Sequence, residues 1–183
     1  MAAVRVRSSR LDPYRRRGMP NDTRSLQTDA RRRNRALPHE LTRGIIQRAF
    51  RGDPDLYHRF LATLREHIGH ADIVLRGSAV TGESYRGNQA FDADGPGTSD
   101  LDIVLVGRDA LQLWLPDAFY VRWVNTIPLS DQTRWVAPGL DPAREAAQAL
   151  LGRPVNIQAM ARWFLALRRI VQRQRHVTLM EQD

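Results

Sequence analysis

A mixed α/β fold is predicted, with helices packed on a small mixed β-sheet, and three observations predict it. Short apolar runs of strand length stand at 71–75, 102–106 and 154–159. The stretches around them carry apolar residues at helical spacing. At 183 residues the chain is long enough for one core and too short for two full domains.

The first 36 residues differ in character from the rest. They hold 11 Arg against Asp12, Asp22 and Asp29, so the net charge of +8 resides there, while residues 37–183 set 17 Arg against 17 acidic residues. With Arg15, Arg16, Arg17, Arg31, Arg32 and Arg33, and few large apolar groups, segment 1–36 is expected to be a flexible basic arm. It suits RNA or DNA phosphates, and it reads equally as a linker kept soluble by its charge. Arg without any Lys reflects either a preference for planar phosphate-binding forks or the base composition of the genome.

A folded domain is expected over residues 37–183, opening with two amphipathic helices. Leu41, Ile45, Ile46, Ala49 and Phe50 mark the first, and Leu56, Phe60, Leu61, Leu64 and Ile68 the second. Asp53 is the expected cap of the second, with Pro54 in its first turn. Strands follow at 71–75 and 102–106, separated by a long polar loop. A third helix is expected over 142–151, with Asp141 as cap and Gly152 as stop. A third strand at 154–159 leads to a last helix marked by Trp163, Phe164, Leu167, Ile170 and Val171, whose outer face is expected to collect Arg162, Arg168, Arg169, Arg173 and Arg175.

The chemistry concentrates where the first strand ends and the second begins. Arg76, Gly77 and Ser78 form a small turn after an apolar strand, and Ser99, Asp100, Leu101, Asp102 and Ile103 begin the next. Because strand side chains alternate, Asp100 and Asp102 point the same way. Two adjacent carboxylates repel unless they share a cation, and oxygen ligands of this kind suit Mg2+ or Mn2+ carrying substrate phosphates. A glycine lets backbone amides approach an anion, and the Ser78 hydroxyl adds a donor. The pair of elements is therefore expected to hold a nucleoside triphosphate.

These residues resemble the nucleotidyltransferase superfamily, to which DNA polymerase β belongs, over residues 71–160. The signature is Gly77-Ser78 followed by Asp100-x-Asp102 on a strand. More narrowly, the run Arg76 to Arg86, with Phe91 and Asp92 ahead of Ser99 and Asp100, resembles the nucleotidyltransferase-type domains of bacterial polymorphic toxins. The resemblance implies that Asp100 and Asp102 are catalytic and bind the metal, and that Arg76, Gly77, Ser78 and Ser99 contact the nucleotide. It also implies transfer of a nucleoside monophosphate to an acceptor hydroxyl, on RNA such as tRNA or on protein, and an immunity or antitoxin protein as partner.

Active members of that family supply a third carboxylate from a later strand. Here the matching strand offers Asn156 and Gln158, and an amide cannot act as a base at neutral pH. Three outcomes are open: catalysis with two carboxylates, completion of the site by Glu83, Asp92 or Asp94 from the insertion at 82–98, or a catalytically silent module that binds nucleic acid or a protein. The insertion itself reads as a lid over the nucleotide or as a plain surface loop.

The remaining composition narrows the class. Without cysteine there is no disulfide framework, thiolate zinc site or cysteine nucleophile. No apolar run approaches the roughly 20 residues that span a bilayer, so no membrane partner is expected. The expected location is the cytoplasm, which for a toxin is that of the target cell. His67 and His70 lack a third metal ligand in the sequence, and Trp114, Trp123, Trp135 and Trp163 are expected to pack in the core.

Overall fold

The computed structural model describes residues 38–84, 89–172 and 175–181. The basic arm expected over 1–36 lies outside them. In order the elements are α1 (Pro38–Ala49), α2 (Pro54–Arg65), β1 (Asp72–Arg76), α3 (Ser78–Thr81), β2 (Leu101–Val106), α4 (Arg108–Gln112), β3 (Phe119–Val121), β4 (Asn125–Thr126), a 3-10 turn (Arg134–Val136), α5 (Asp141–Leu151), β5 (Val155–Met160), α6 (Arg162–Val171) and β6 (His176–Met180). The six strands form one mixed sheet in the order β3-β4-β5-β2-β1-β6. Only β2 and β5 run parallel; the other pairs are antiparallel.

Strand alternation divides the apolar residues between two faces. Ile73, Leu75, Leu101, Ile103, Leu105, Val155, Ile157 and Ala159 join the main core with Ile45, Phe60 and Leu64 of the two leading helices, Phe50 between them, and Ala147 and Leu151 of α5. The opposite face carries a small cluster, Val74, Val104, Val106 and Met160, covered by Phe164 and Leu165 of α6. This second face also bears Arg76, Asp102 and Asn156.

Local chemistry sets the helix ends. Asp53 caps α2, its Oδ1 accepting from the N–H groups of Asp55 at 2.8 Å and Leu56 at 3.1 Å, with Pro54 in the first turn. Gly152 stops α5 in the left-handed conformation, at φ 66°. Asp141 departs from its expected role as cap. It is the first residue of α5, and its carboxylate accepts from the buried Arg144 guanidinium at 2.8 Å and from Arg134 at 2.6 Å. A fully buried guanidinium requires a counter-charge, which Asp141 and Asp131 provide.

Of the arginines expected on the outer face of α6, Arg162 and Arg169 are exposed, as is Arg175 beyond the helix, and among the described residues only Arg168 departs from it. Arg162 pairs with the buried Asp72 at 2.7 Å, and Arg168 is half-buried on the side shared with Phe164 and Leu165; Arg169 is exposed. Arg173 lies outside the described residues. Apolar residues are exposed on this helix as well: Trp163, Leu167, Ile170 and Val171.

The described part of the loop between β1 and β2 is pinned. Asp92 N–H donates to Ser99 Oγ at 2.7 Å, while the Asp92 carboxylate accepts from the N–H groups of Ser99 and Gly97 and from both terminal nitrogens of Arg153. Arg153 also lies 4.7 Å from the centre of the Phe91 ring and donates to the Ser99 carbonyl at 3.2 Å. Gly97, at φ +81°, sits so close to α5 that a Cβ there would stand 2.8 Å from the Gly152 carbonyl oxygen. Residues 89–99 are therefore clasped to the end of α5, and the described part of the insertion is no open lid.

Burial opposes the Asp92 charge, but its hydrogen bonds from Ser99, Gly97 and Arg153 outweigh that and hold the carboxyl below the usual range. Its stabilising contribution is thus present above the unfolded carboxylate pKa and lost as pH falls through the lower folded value. Asp92→Asn strands the Arg153 side chain, 3% exposed, without a counter-charge. The expected loss is about 2–3 kcal/mol in urea unfolding at neutral pH, shrinking as pH falls through the lowered Asp92 pKa.

Candidate functional site

Sheet register assembles the site. Arg76 at the end of β1 stands opposite Asp102 of β2, and Asp102 stands beside Asn156 of β5, so three polar residues form one row across the central strands. Asp100, one step before β2, is exposed and belongs to the same face. Its Oδ2 accepts from Asn156 Nδ2 at 2.6 Å. Asn156 thus stands beside both carboxylates, where the sequence placed the missing third acid.

The Gly77-Ser78 turn is seated directly on this row. Gly77 adopts φ 78° and ψ −158°, and a Cβ on it would lie 2.9 Å from Asp102 Oδ2. Only glycine allows both that backbone and that approach. Ser78 then opens the single turn α3. From the other side Arg48 of α1 clamps the turn, donating from Nε and Nη2 to the Ala79 carbonyl and from Nη2 to that of Val80, at 3.0–3.2 Å.

The electrostatics are those of a site short of cations. Burial, reinforced by the neighbouring Asp100 charge, pushes the Asp102 carboxyl above the usual carboxylate range, although Arg76 and the Asn156 amide act against the rise. A shared divalent cation would relieve both the burial and the repulsion. Two carboxylates with an adjacent amide are hard oxygen donors, so the residues present fit Mg2+ or Mn2+. Among the described residues no group of three acids or histidines converges on one point.

The other expected site residues fall into place as follows. Glu83 is exposed in an isolated bridge to Ala90, and Asp92 is committed to Arg153, so neither completes the carboxylate set with Asp100 and Asp102; Asp94 is exposed and does not complete it either. Ser99, expected against the nucleotide, has its amide, carbonyl and hydroxyl oxygen engaged in the Asp92–Arg153 clasp. Gln158 is buried and donates to the Thr126 carbonyl, away from the carboxylates. His67 and His70 are exposed, and among the described residues no third metal-ligating side chain joins them.

Of the tryptophans only Trp114 is a core residue, with its Nε1–H donating to the Ile127 carbonyl at 2.9 Å. Trp123, Trp135 and Trp163 are more than half exposed, which corrects the expectation of core packing. Three arginines that shape this region carry no motif in the sequence: Arg48, Arg153 and Arg168. For Arg168 a signal existed, since it follows Phe164 by one helical turn and so shares its buried side.

No family model, curated protein or solved structure matches this chain.

Two substitutions test the geometry without reference to activity. Because a carboxyl with a raised folded pKa destabilises the fold above that value and not below the unfolded one, Asp102→Asn is expected to stabilise the cation-free protein. The gain should be a Tm increase of roughly 2–4 °C at pH 7 that disappears near about pH 3. Gly77→Ala should act oppositely, losing about 2 kcal/mol in urea unfolding at any pH, because the methyl group meets Asp102 and the backbone is strained.

Proposed function

We propose that this chain has a nucleotidyltransferase fold and is a metal-dependent nucleotidyltransferase that moves a nucleoside monophosphate from a nucleoside triphosphate to an acceptor hydroxyl. The observation that carries the reading is the Gly77-Ser78 turn packed onto Asp102, with Asp100, Asp102 and Asn156 gathered in one row beside it. A close-approaching glycine turn and a strained carboxylate pair are two halves of one requirement, the binding of a phosphate chain together with a cation.

Each residue has a task in that reaction. Asp100 and Asp102 would hold the Mg2+ or Mn2+ ion. Bound there, the ion supplies positive charge against that developing on the transferred phosphate and the departing pyrophosphate. The Ser78 hydroxyl and the amides that follow Gly77 would orient the β and γ phosphates, and Arg48 keeps their turn rigid. The acceptor oxygen bonds to the α phosphorus as the bond to pyrophosphate breaks, and the hydroxyl proton leaves to solvent, since Asn156 offers no basic oxygen. Transfer of this type asks for positioning and electrostatics more than covalent help, so two carboxylates suffice.

The toxin-like run Arg76 to Arg86 supports RNA, including tRNA, or protein as the acceptor, action in the cytoplasm of a target cell, and an immunity or antitoxin protein as partner. No helix among the described residues is long and apolar enough to cross a membrane. A second reading has one observation in its favour: Asn156 fills the third position and its amide already satisfies Asp100 at 2.6 Å. On that reading the domain is a silent module that binds nucleic acid or a protein.

Incubation with each α-32P-labelled nucleoside triphosphate, Mg2+ and total bacterial RNA and protein separates the two. Nucleotidyl transfer predicts a labelled RNA or protein band that falls at least 100-fold with Asp100→Asn. Absence of label with all four nucleotides favours the silent module. Asn156→Asp is expected to tighten Mn2+ binding in calorimetry by about ten-fold or more, because a third anionic ligand strengthens a hard-cation site. Unchanged affinity would remove Asn156 from the site.

A further inference from the structure

The helix α6 delivers an arginine to the carboxylate end of the sheet that the proposed reaction has not yet used. Its contacts run in step along β1. Arg162 pairs with Asp72 at 2.7 Å, and Phe164 and Leu165 cover Val74 and its neighbours. Arg168, one turn further, is half-buried on the same side and lies within electrostatic reach of Arg76 at the strand's end. Helical rise carries residue 162 to 168 over about 9 Å, against about 13 Å from residue 72 to 76 of the strand; a long guanidinium side chain spans the difference.

Two guanidiniums are thereby held near one another, Arg76 across from Asp102 on the neighbouring strand and Arg168 with no carboxylate among its contacts. Arg76 Nε is buried and has no hydrogen-bond partner. Arg168 Nε donates to the Gln172 side chain at 3.0 Å, and among the described residues neither arginine forms an ion pair. Burial first, and the like charge of Arg76 second, lower the Arg168 pKa, so its cation is destabilised where it stands. The two fully buried arginines, Arg144 and Arg153, by contrast each have a carboxylate partner. Arg76 keeps a buried Nε without a partner and Arg168 has no carboxylate, so two donor forks converge with donors to spare for an anion from outside.

We propose that Arg76 and Arg168 together form a phosphate seat beside Asp102. A phosphate oxyanion fits because it offers several acceptor oxygens and more than one negative charge to two planar donor forks. The assignment of the seat to this reaction rests on the nucleotidyl-transfer reading; the seat itself does not. Its phosphate comes either from the triphosphate of the nucleotide or from the backbone of an RNA acceptor.

The test uses the full chain at about 150 mM salt, which screens the basic amino-terminal segment, and omits divalent cations and nucleotide. Inorganic tripolyphosphate is titrated in one calorimetric arm, and a single-stranded oligoadenylate without terminal phosphate in the other. Arg168→Gln and Arg168→Lys are compared with Arg169→Gln, an exposed neighbour with the same loss of charge as the first. Circular dichroism confirms that each variant is folded, and the lysine variant retains the stem and charge should glutamine disturb the packing.

The seat predicts that Arg168→Gln weakens tripolyphosphate binding at least ten-fold, that Arg168→Lys weakens it in part, and that Arg169→Gln changes it less than two-fold. The same pattern confined to the oligonucleotide arm assigns the seat to an acceptor backbone. Equal effects at positions 168 and 169, or binding in neither arm, overturn the proposal. Because no transfer is read, a silent enzyme with an intact seat and an active enzyme without one give different results.

Discussion

The pairing of β2 with β1 on one side and with β5 on the other is the constraint on which this site depends. Its register sets Arg76, Asp102 and Asn156 in one row. A slip of one residue in either pairing would send that row's side chains to the opposite face and Ile103 or Ile157 into their place. The register is held because Leu101, Ile103, Leu105, Val155 and Ile157 are all essentially inaccessible to water on the main-core face. Apolar burial therefore sets the position of the polar residues, although it touches none of them directly.

Around that row the molecule distributes its charges in two ways. Away from the site the buried cations are neutralised: Arg144 by Asp141 and Asp131, Arg153 by Asp92. At the end of the central strands Arg76 faces Asp102, yet like charges are also left together, Asp100 beside Asp102 and Arg168 near Arg76. Leaving like charges adjacent and partly desolvated costs stability, which the apolar core beneath must offset. Such an arrangement is characteristic of sites that complete their electrostatics with a ligand.

The supports of the site are less visible than the site. Arg48 reaches from α1 to the turn after β1, and Arg153 ties the loop before Asp100 to the end of α5, joining residues 61 positions apart. Neither has a periodicity or motif, because any exposed arginine on a helix or turn reads the same. The short strands β3 and β4 were equally hidden, being three and two residues long and held by their neighbours in the sheet. β6 follows an arginine-rich stretch and becomes a strand by pairing with the exposed edge of β1.

The sequence by itself determined the elements whose information is local. Asp53 and Pro54 begin α2, Gly152 ends α5, and the apolar runs that became β1, β2 and β5 lie within a residue of their expected places, because caps and alternation act over a few positions. The Gly77-Ser78 turn and the Asp100–Asp102 strand start were legible for the same reason, as elements of recognisable composition, whereas the packing of Gly77 on Asp102 follows from the β1–β2 register. Only the tertiary structure decided that Asp141 serves Arg144 and Arg134, that Asp92 serves Arg153, and that Arg168 faces inward near Arg76. A charged side chain takes its role from whichever opposite or like charge the packed core brings near it, and that neighbour is set by strand order and helix placement across the whole chain.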